Sequence, residues 1–202
     1  MNYVELDIDV DFILNKLNKV STDVFLSSKK SKGVGIFWID EHKEDFLDII
    51  KFTDNLSKVL NFNIARSCYT TQFNIDSHIP THIDFDDTKI NEPIHGEVYS
   101  FIVPCKGSGI TTFYNLSSED KGPNETKWSD RHGVIYDPFN DVSKKLTINE
   151  QIEIKKPTIL RTSYPHSVIV TKSPRITFQV KLLGCKDGLD IIADKISKYT
   201  QS

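Results

Sequence analysis

Two segments in the first third of the chain place apolar residues at helical spacing. In residues 10–20 these are Phe12, Ile13, Leu17 and Val20, and in residues 42–62 they are Phe46, Ile49, Ile50, Leu56, Val59 and Leu60. Both patterns predict amphipathic helices. A short apolar run at 35–39 predicts a buried strand between them, and "GLDIIADKISKY" near the C-terminus predicts a closing helix.

From Ala65 onward the hydrophobic period changes from helical spacing to two. Six runs rich in β-branched and aromatic residues predict strands: 67–75, 97–105, 109–115, 157–164, 166–171 and 175–183. Helices followed by many short strands are typical of the α+β class. We therefore predict a double-stranded β-helix (jelly roll) core with the N-terminal helices packed on one of its sheets.

This pattern predicts a single domain, 1–202, with three parts. Residues 1–64 form a helical support region, 65–183 the jelly-roll catalytic core, and 184–202 the C-terminal helix. Residues 116–150 are a polar, turn-rich insertion in the core, long enough to be either a disordered loop or a substrate lid. The side chains that favour a lid are Trp128, Arg131, His132 and Tyr136.

Composition narrows the class of protein. The 202 residues are 38% hydrophobic and 26% charged, with a net charge of −3, which is ordinary for a globular protein and gives no basis for a nucleic-acid partner. No apolar run reaches the length of a membrane helix, and the acidic start does not resemble a signal peptide. Three widely spaced cysteines indicate neither a disulfide framework nor a zinc knuckle. We expect a cytoplasmic protein.

The sequence "PTHIDFDD" (80–87) carries the first candidate chemistry. On a strand, His82 and Asp84 point to the same face and could bind one metal ion. A turn with solvated acidic side chains would also be compatible with this sequence. His166 opens a later strand, and Arg175 follows nine residues on. Two histidines and one carboxylate suit non-heme Fe(II), which leaves coordination positions open for other ligands.

The strand 175–183 predicts two different faces. Arg175, Thr177, Gln179 and Lys181 alternate with the apolar residues Ile176, Phe178, Val180 and Leu182. An arginine that points into a barrel near a metal is costly unless an anion pairs with it.

These residues, in this order, resemble the 2-oxoglutarate and Fe(II)-dependent dioxygenase superfamily. "GITTFYN" (109–115) and "HSVIVTKSPRITF" (166–178) are similar to motifs of its prolyl-hydroxylase-like branch. The resemblance implies that His82, Asp84 and His166 are the catalytic metal ligands. It further implies that Arg175 and Thr177 bind the far carboxylate of 2-oxoglutarate, and that O₂ is used to hydroxylate a peptidyl residue, amino acid or small metabolite with release of succinate and CO₂.

Several alternatives stay open at the level of sequence. A cupin-type metal enzyme that does not use 2-oxoglutarate would keep the triad without needing Arg175. A non-catalytic jelly-roll binding or structural module would keep only the fold. One of Tyr69, Tyr99 and Tyr114 could bind 2-oxoglutarate, and the pattern does not select among them. His78, His95 and Arg161 are left outside the predicted site.

Overall fold

Two long antiparallel strands, β5 (Tyr99–Asn115) and β10 (His166–Leu183), form the centre of the fold in the computed structural model. The structure describes residues 1–24, 34–60, 63–73, 78–84, 98–115, 127–129, 133–135, 146–183 and 187–200. The remaining strands are β1 (Tyr3–Glu5), β2 (Val34–Trp38), β3 (Asn63–Gln72), β4 (His78–Asp84), β6 (Lys127–Ser129), β7 (Gly133–Ile135), β8 (Thr147–Glu153) and β9 (Thr158–Arg161).

Each long strand exchanges partners along its length. The first residues of β10, 166–169, pair with β4, whereas residues 175–183 pair with β3. Strand β5 pairs with β9 through residues 99–102 and with β8 through residues 110–115. All the strand pairs in the described part of the chain are antiparallel, and register shifts in β10 near residues 170–177 mark the region where the partners change.

The helices pack against one face of residues 175–183. They are α1 (Asp11–Leu14), α2 (Leu47–Leu60) and α3 (Leu189–Thr200), with 3₁₀ turns at Leu17–Lys19 and Ile39–Asp45. Helix α2 buries Ile49, Phe52 and Leu56 in the same cluster as Phe178 of β10. Alternation predicted this apolar face, and the burial of Ile176, Phe178, Val180 and Leu182 confirms it.

The opposite face of the long strands contacts a smaller apolar cluster, formed by Ile102, Phe113, Ile152, Ile154 and Leu160. The same face also carries buried polar side chains, among them Thr70, Gln72, Thr111, Arg175 and Thr177. One face of β10 is therefore an ordinary hydrophobic core. The other, which we call the inner face, buries polar groups at a cost that has to be met by hydrogen bonds or a ligand.

The structure confirms antiparallel strands with a few helices, whereas the double-stranded β-helix stays a prediction, and several elements differ from those predicted. The helix predicted at 10–20 is only α1 and a 3₁₀ turn, and the one at 42–62 starts as a 3₁₀ segment with a non-helical His42. Runs 97–105 and 109–115 belong to one strand, as do 166–171 and 175–183. Strands β1, β6 and β7 were not predicted, because three residues give too short a pattern to recognise, and β4 and β8 were also not among the predicted strands.

The predicted insertion, 116–150, contains β6, β7 and the first half of β8, which pair with one another or with β4 and β5. Most of the insertion, including Arg131, His132 and Tyr136, lies outside the described residues, as does His95. The lid therefore stays a prediction. None of the helices in the described ranges is long and apolar enough to cross a membrane.

Phe178 should be a strong determinant of stability. Its ring is fully buried and lies 5.6 Å from that of Tyr69 and 6.5 Å from that of Phe101, measured between centroids. Phe178→Ala should lower the free energy of unfolding by about 3–5 kcal/mol, because it removes apolar contacts and leaves a cavity. Urea unfolding measures this, with Ile148→Ala, at a 60% exposed position, as the control. Equal losses in both variants would contradict the assigned core.

Candidate metal centre and anion pocket

The register between β4 and β10 brings the two predicted histidine ligands together. His82 is directly opposite His166, so both side chains project from the same face, and their ring centroids are 4.2 Å apart. Asp84 follows His82 by two residues, and its Oδ1 lies 3.9 Å from His82 Nε2. The structure therefore brings His82, Asp84 and His166 into one cluster.

A backbone hydrogen bond orients the His166 ring in the way that a metal ligand requires. Its Nδ1 lies 2.9 Å from the carbonyl oxygen of Tyr164. Donation of the Nδ1 hydrogen to that carbonyl leaves the lone pair on Nε2 free, the arrangement commonly found for metal-bound histidines. Burial lowers the pKa of His166 to about 3, so the ring is neutral near pH 7. The guanidinium of Arg161 packs 4.5 Å from the centre of the Tyr164 ring and supports that turn.

Asp84 is ionised and held from two sides. Its backbone N–H donates to the carbonyl of Thr162 at 2.8 Å, and Lys181 Nζ lies 3.0 Å from its Oδ1. Burial alone would raise the pKa of Asp84, but the positive charge of Lys181, with smaller contributions from His82 and His166, outweighs this and brings the pKa to about 2. The site thus offers a carboxylate together with a neutral His166 imidazole.

This donor set fits a divalent transition metal in chemistry, although the atoms are not yet at ligand spacing. Among the described residues, no three His, Cys, Asp or Glu side chains are already placed so that they could hold a metal ion. Two ligands at right angles on one metal are about 3 Å apart, whereas His82 Nε2 and Asp84 Oδ1 are 3.9 Å apart. Side-chain rotations that move one donor by about 1 Å would close this gap.

Arg175 lies on the inner face of β10 with only 4% of its surface exposed. Its Nη1 donates to Gln72 Oε1 at 2.7 Å, and none of the described carboxylates pairs with it. Burial lowers the pKa of Arg175 to about 10, which still leaves it charged at neutral pH. A buried cation bound only to a neutral amide is expensive, so this position suits an anionic ligand.

Two further buried groups have hydrogen-bonding capacity to spare: Gln72, which accepts the hydrogen bond of Arg175, and Thr111, which lies two residues beyond Gly109 on β5. Within the part of the chain that the structure describes, Gln72 Nε2 and Thr111 Oγ1 are buried without a hydrogen-bond partner. Gly109 lies against Arg175, since a Cβ at this position would be 2.8 Å from Arg175 Cδ. A side chain there would displace the guanidinium. We call Arg175, Gln72 and Thr111 the anion pocket.

Thr177 is on the inner face, two residues beyond Arg175. Its Oγ1 is 2.8 Å from Thr70 Oγ1 and accepts a hydrogen bond from Gln179 Nε2 at 2.9 Å. Because the hydroxyl of Thr70 can act as the acceptor in that pair or as the donor, the hydrogen of Thr177 is not committed to one partner. A role for Thr177 in binding a carboxylate stays a prediction.

The three candidate tyrosines do not point at this cluster. Tyr69 and Tyr99 belong to the core under the helices, where their hydroxyls donate to the carbonyls of Ile13 and Asp187. Tyr114 is bonded to the hydroxyl of Ser167, which alternates with His166 and therefore faces the other side of β10. Sequence reasoning missed Gln72 and Lys181 as site residues, although both have the strand parity of the inner face.

Comparisons with known proteins show the fold alone. No protein-family model matches the sequence, and no curated protein matches it. Apo HygX from Streptomyces hygroscopicus is similar over 90% of this chain and 82% of its own, with a TM-score of 0.52 and 8% identity. E. coli ycfD is similar over 74% of this chain, with a TM-score of 0.45 and 12% identity. A hydroquinone 1,2-dioxygenase from Sphingomonas sp. TTNP3 is similar over 58% of this chain, with a TM-score of 0.36 and 8% identity.

The two matches with TM-scores below 0.5 add no argument. This chain also spans only 33% of ycfD and 60% of the hydroquinone dioxygenase. The similarity to HygX supports a shared fold, and at 8% identity it says nothing about substrate or cofactor. The function therefore has to be argued from the residues of the site.

The buried neutral form of His166 should make the fold sensitive to acid. Its pKa is about 3 in the folded state and about 6.5 in an unfolded chain, so between these values the unfolded state binds more protons. Its contribution to stability is therefore complete above about pH 6.5 and is lost as the pH falls toward 3.

With a chelator present, lowering the pH from about 7 to about 4.5 should remove about 3 kcal/mol of unfolding free energy through this one group. Urea titrations at the two pH values measure the loss. His166→Gln cannot gain this proton, so its loss should be smaller by that amount. If parent and variant lose the same free energy, His166 is not buried in its neutral form.

Proposed function

We propose that the protein is an Fe(II)- and 2-oxoglutarate-dependent dioxygenase with a double-stranded β-helix core. It would hydroxylate a peptidyl residue, an amino acid or a small metabolite and release succinate and CO₂. The observation that carries the proposal lies on one strand. Strand β10 supplies a neutral, backbone-oriented histidine, His166, and nine residues later a buried arginine, Arg175, whose only described hydrogen-bond acceptor is a neutral amide.

In this proposal His82, Asp84 and His166 hold the iron. Bound Fe(II), with 2-oxoglutarate as the electron donor, supplies the oxidation of an unactivated C–H bond by O₂. The chain's own contribution is to keep His166 neutral through burial, to keep Asp84 ionised through Lys181, and to fix the ring of His166 through Tyr164. Each of these effects favours the protonation state that a metal ligand requires.

The anion pocket would hold the far carboxylate of 2-oxoglutarate. The guanidinium of Arg175 can make a two-point contact with a carboxylate, and the free Nε2–H of Gln72 can add a third hydrogen bond. Thr177 lies two residues beyond Arg175, on the same face of the strand. An anion in this pocket would compensate the buried charge of Arg175, which is the group that most needs a partner in the described structure.

Two rivals differ from this proposal in their dependence on 2-oxoglutarate. A cupin-type metal enzyme would bind metal at the triad but would not need Arg175. A non-catalytic jelly-roll module would need neither the metal triad nor Arg175. Anaerobic addition of Fe(II) and 2-oxoglutarate tests all three: the dioxygenase should give a weak visible charge-transfer band, and its absence would favour one of the rivals. A screen for succinate release, followed by mass spectrometry for a gain of one oxygen, would identify the substrate.

The histidine ligands should be essential for metal binding but not for folding. His82→Ala or His166→Ala should weaken Fe(II) binding by about 100-fold or more, because loss of a ligand should cost at least as much as the about 10–100-fold that loss of a ligand's hydrogen-bonding partner costs. Equilibrium dialysis with metal analysis measures this, and circular dichroism checks the fold. The control is His42→Ala, at an exposed histidine in the Ile39–Asp45 segment. Unchanged Fe(II) affinity in both ligand variants would overturn the triad.

Arg175 should control 2-oxoglutarate without controlling the metal. Arg175→Ala should bind Fe(II) as the parent does, since Arg175 is not a ligand, but should lose about 3–5 kcal/mol of 2-oxoglutarate binding. Arg175→Lys should recover part of the loss, because an ammonium cannot reproduce the planar two-point contact. Titration of the charge-transfer band measures both. An alanine variant with parental affinity for 2-oxoglutarate would remove the co-substrate from the proposal and leave only the metal.

A further inference from the structure

A second cation, the partly buried Lys181, lies at the metal end of the inner face. Its Nζ is 3.0 Å from Asp84 Oδ1, with side-chain exposures of 26% for the lysine and 10% for the aspartate. Oδ1 is also the atom that lies 3.9 Å from His82 Nε2. The ammonium therefore donates a hydrogen bond to the same carboxylate oxygen that lies toward His82.

The Lys181 ammonium and a bound metal ion would compete for this Asp84 oxygen. A metal ion bound to Asp84 beside His82 would draw on the oxygen that already accepts a hydrogen bond from Lys181, and it would sit close to the ammonium in a poorly solvated site. Repulsion between two nearby positive charges is weakly screened where water is excluded. Lys181 should therefore oppose the binding of a metal ion on its own.

The effect changes sign when an anionic ligand binds with the metal. Lys181 is on the same face of β10 as Arg175, with Thr177 and Gln179 between them, so a cation stands at each end of one polar stripe. A dicarboxylate that extends from the anion pocket to the metal brings its second carboxylate to the Lys181 end. There the ammonium is attracted to the ligand, and Asp84 can turn fully to the metal.

We propose that Lys181 makes metal binding at His82, Asp84 and His166 depend on an anionic co-ligand. The ammonium weakens the binding of the metal alone and stabilises the complex of metal and carboxylate, so the two ligands bind with positive coupling. This inference rests on the proposed metal site and 2-oxoglutarate site. Lys181 acts in it as a positioning residue and as a charge, not as a metal ligand.

A purely structural role for Lys181 gives a different expectation. If the lysine only neutralises a buried carboxylate, its removal lowers stability and leaves the coupling between the two ligands unchanged. The ratio of two metal affinities, measured with and without 2-oxoglutarate, therefore separates the two roles. By linkage, the metal must tighten 2-oxoglutarate binding by the same factor, which gives an internal check on each variant.

The test uses Mn(II), which does not support turnover and whose free ion is measured by electron paramagnetic resonance. In the parent protein, saturating 2-oxoglutarate should tighten Mn(II) binding by about tenfold or more, a typical size for coupling between sites. In Lys181→Met, Mn(II) alone should bind several-fold more tightly than to the parent, and the coupling should fall to about threefold or less. Lys181→Arg should retain the coupling, because it keeps the charge.

Controls keep the outcomes distinct. Lys172→Met, at an exposed lysine on the same strand, should behave as the parent. Lys181→Gln retains a neutral donor and replaces the methionine variant if the latter does not fold. If Mn(II) binds the parent but Lys181→Met or Lys181→Gln shows unchanged affinity and coupling, this inference is wrong while the proposed function stands. If the parent binds no Mn(II) with or without 2-oxoglutarate, both are wrong.

Discussion

Strand β10 pairs with β5 from His166 to Leu182, while its two ends pair with β4 and β3. This exchange of partners within one strand is the constraint on which the rest of the structure depends. It places His82, which is distant in sequence, opposite His166, and it places Gln72 opposite Arg175. A shift of one residue in either register would turn those side chains to the opposite face of the sheet and would disperse the cluster.

The two faces of β10 have opposite energetic roles. The face under the helices contributes apolar burial, with Ile176, Phe178, Val180 and Leu182 in one continuous core. The inner face carries two cations, the buried Arg175 and the partly buried Lys181, and each of them costs desolvation free energy. Stability alone would favour apolar residues there. Retaining polar groups beside a well-packed core is typical of a site where local rules are set aside for binding.

Much of the fold could be predicted from periodicity, because alternation records which residues share a face. Strands β2, β3 and β9, most of β5 and β10, the long helix α2 and the apolar side of β10 followed from spacing alone, whereas β1, β4, β6, β7 and β8 did not. The continuity of β5 and β10 could not be predicted: "GSG" at 107–109 and Pro174 look like turns, yet both segments continue as strand. The short α1 and the non-helical His42 are likewise set by tertiary packing, which overrides local propensity.

The residues of the candidate site could be selected from the sequence, but their hydrogen-bond partners could not. Residue type, spacing and the family resemblance selected His82, Asp84, His166 and Arg175, whose roles stay predictions. The pairing of Lys181 with Asp84 and of Arg175 with Gln72 depends on contacts across 97 and 103 residues. No local pattern encodes such separations.

Those long-range contacts also bear on which anions could fit. Arg175 and Lys181 are six positions apart on one strand, so their Cα atoms are separated by about 20 Å, and hydrogen bonds on both sides hold this part of β10 in the sheet. The distance between the two charges can therefore change only through the side chains. Arg175 is held by Gln72 and pressed against Gly109, whereas Lys181 has a more exposed and flexible stem. The anion pocket is thus the fixed end, and the metal end adjusts to the ligand. A monocarboxylate could reach only one of the two cations, whereas a dicarboxylate of suitable length would compensate both charges.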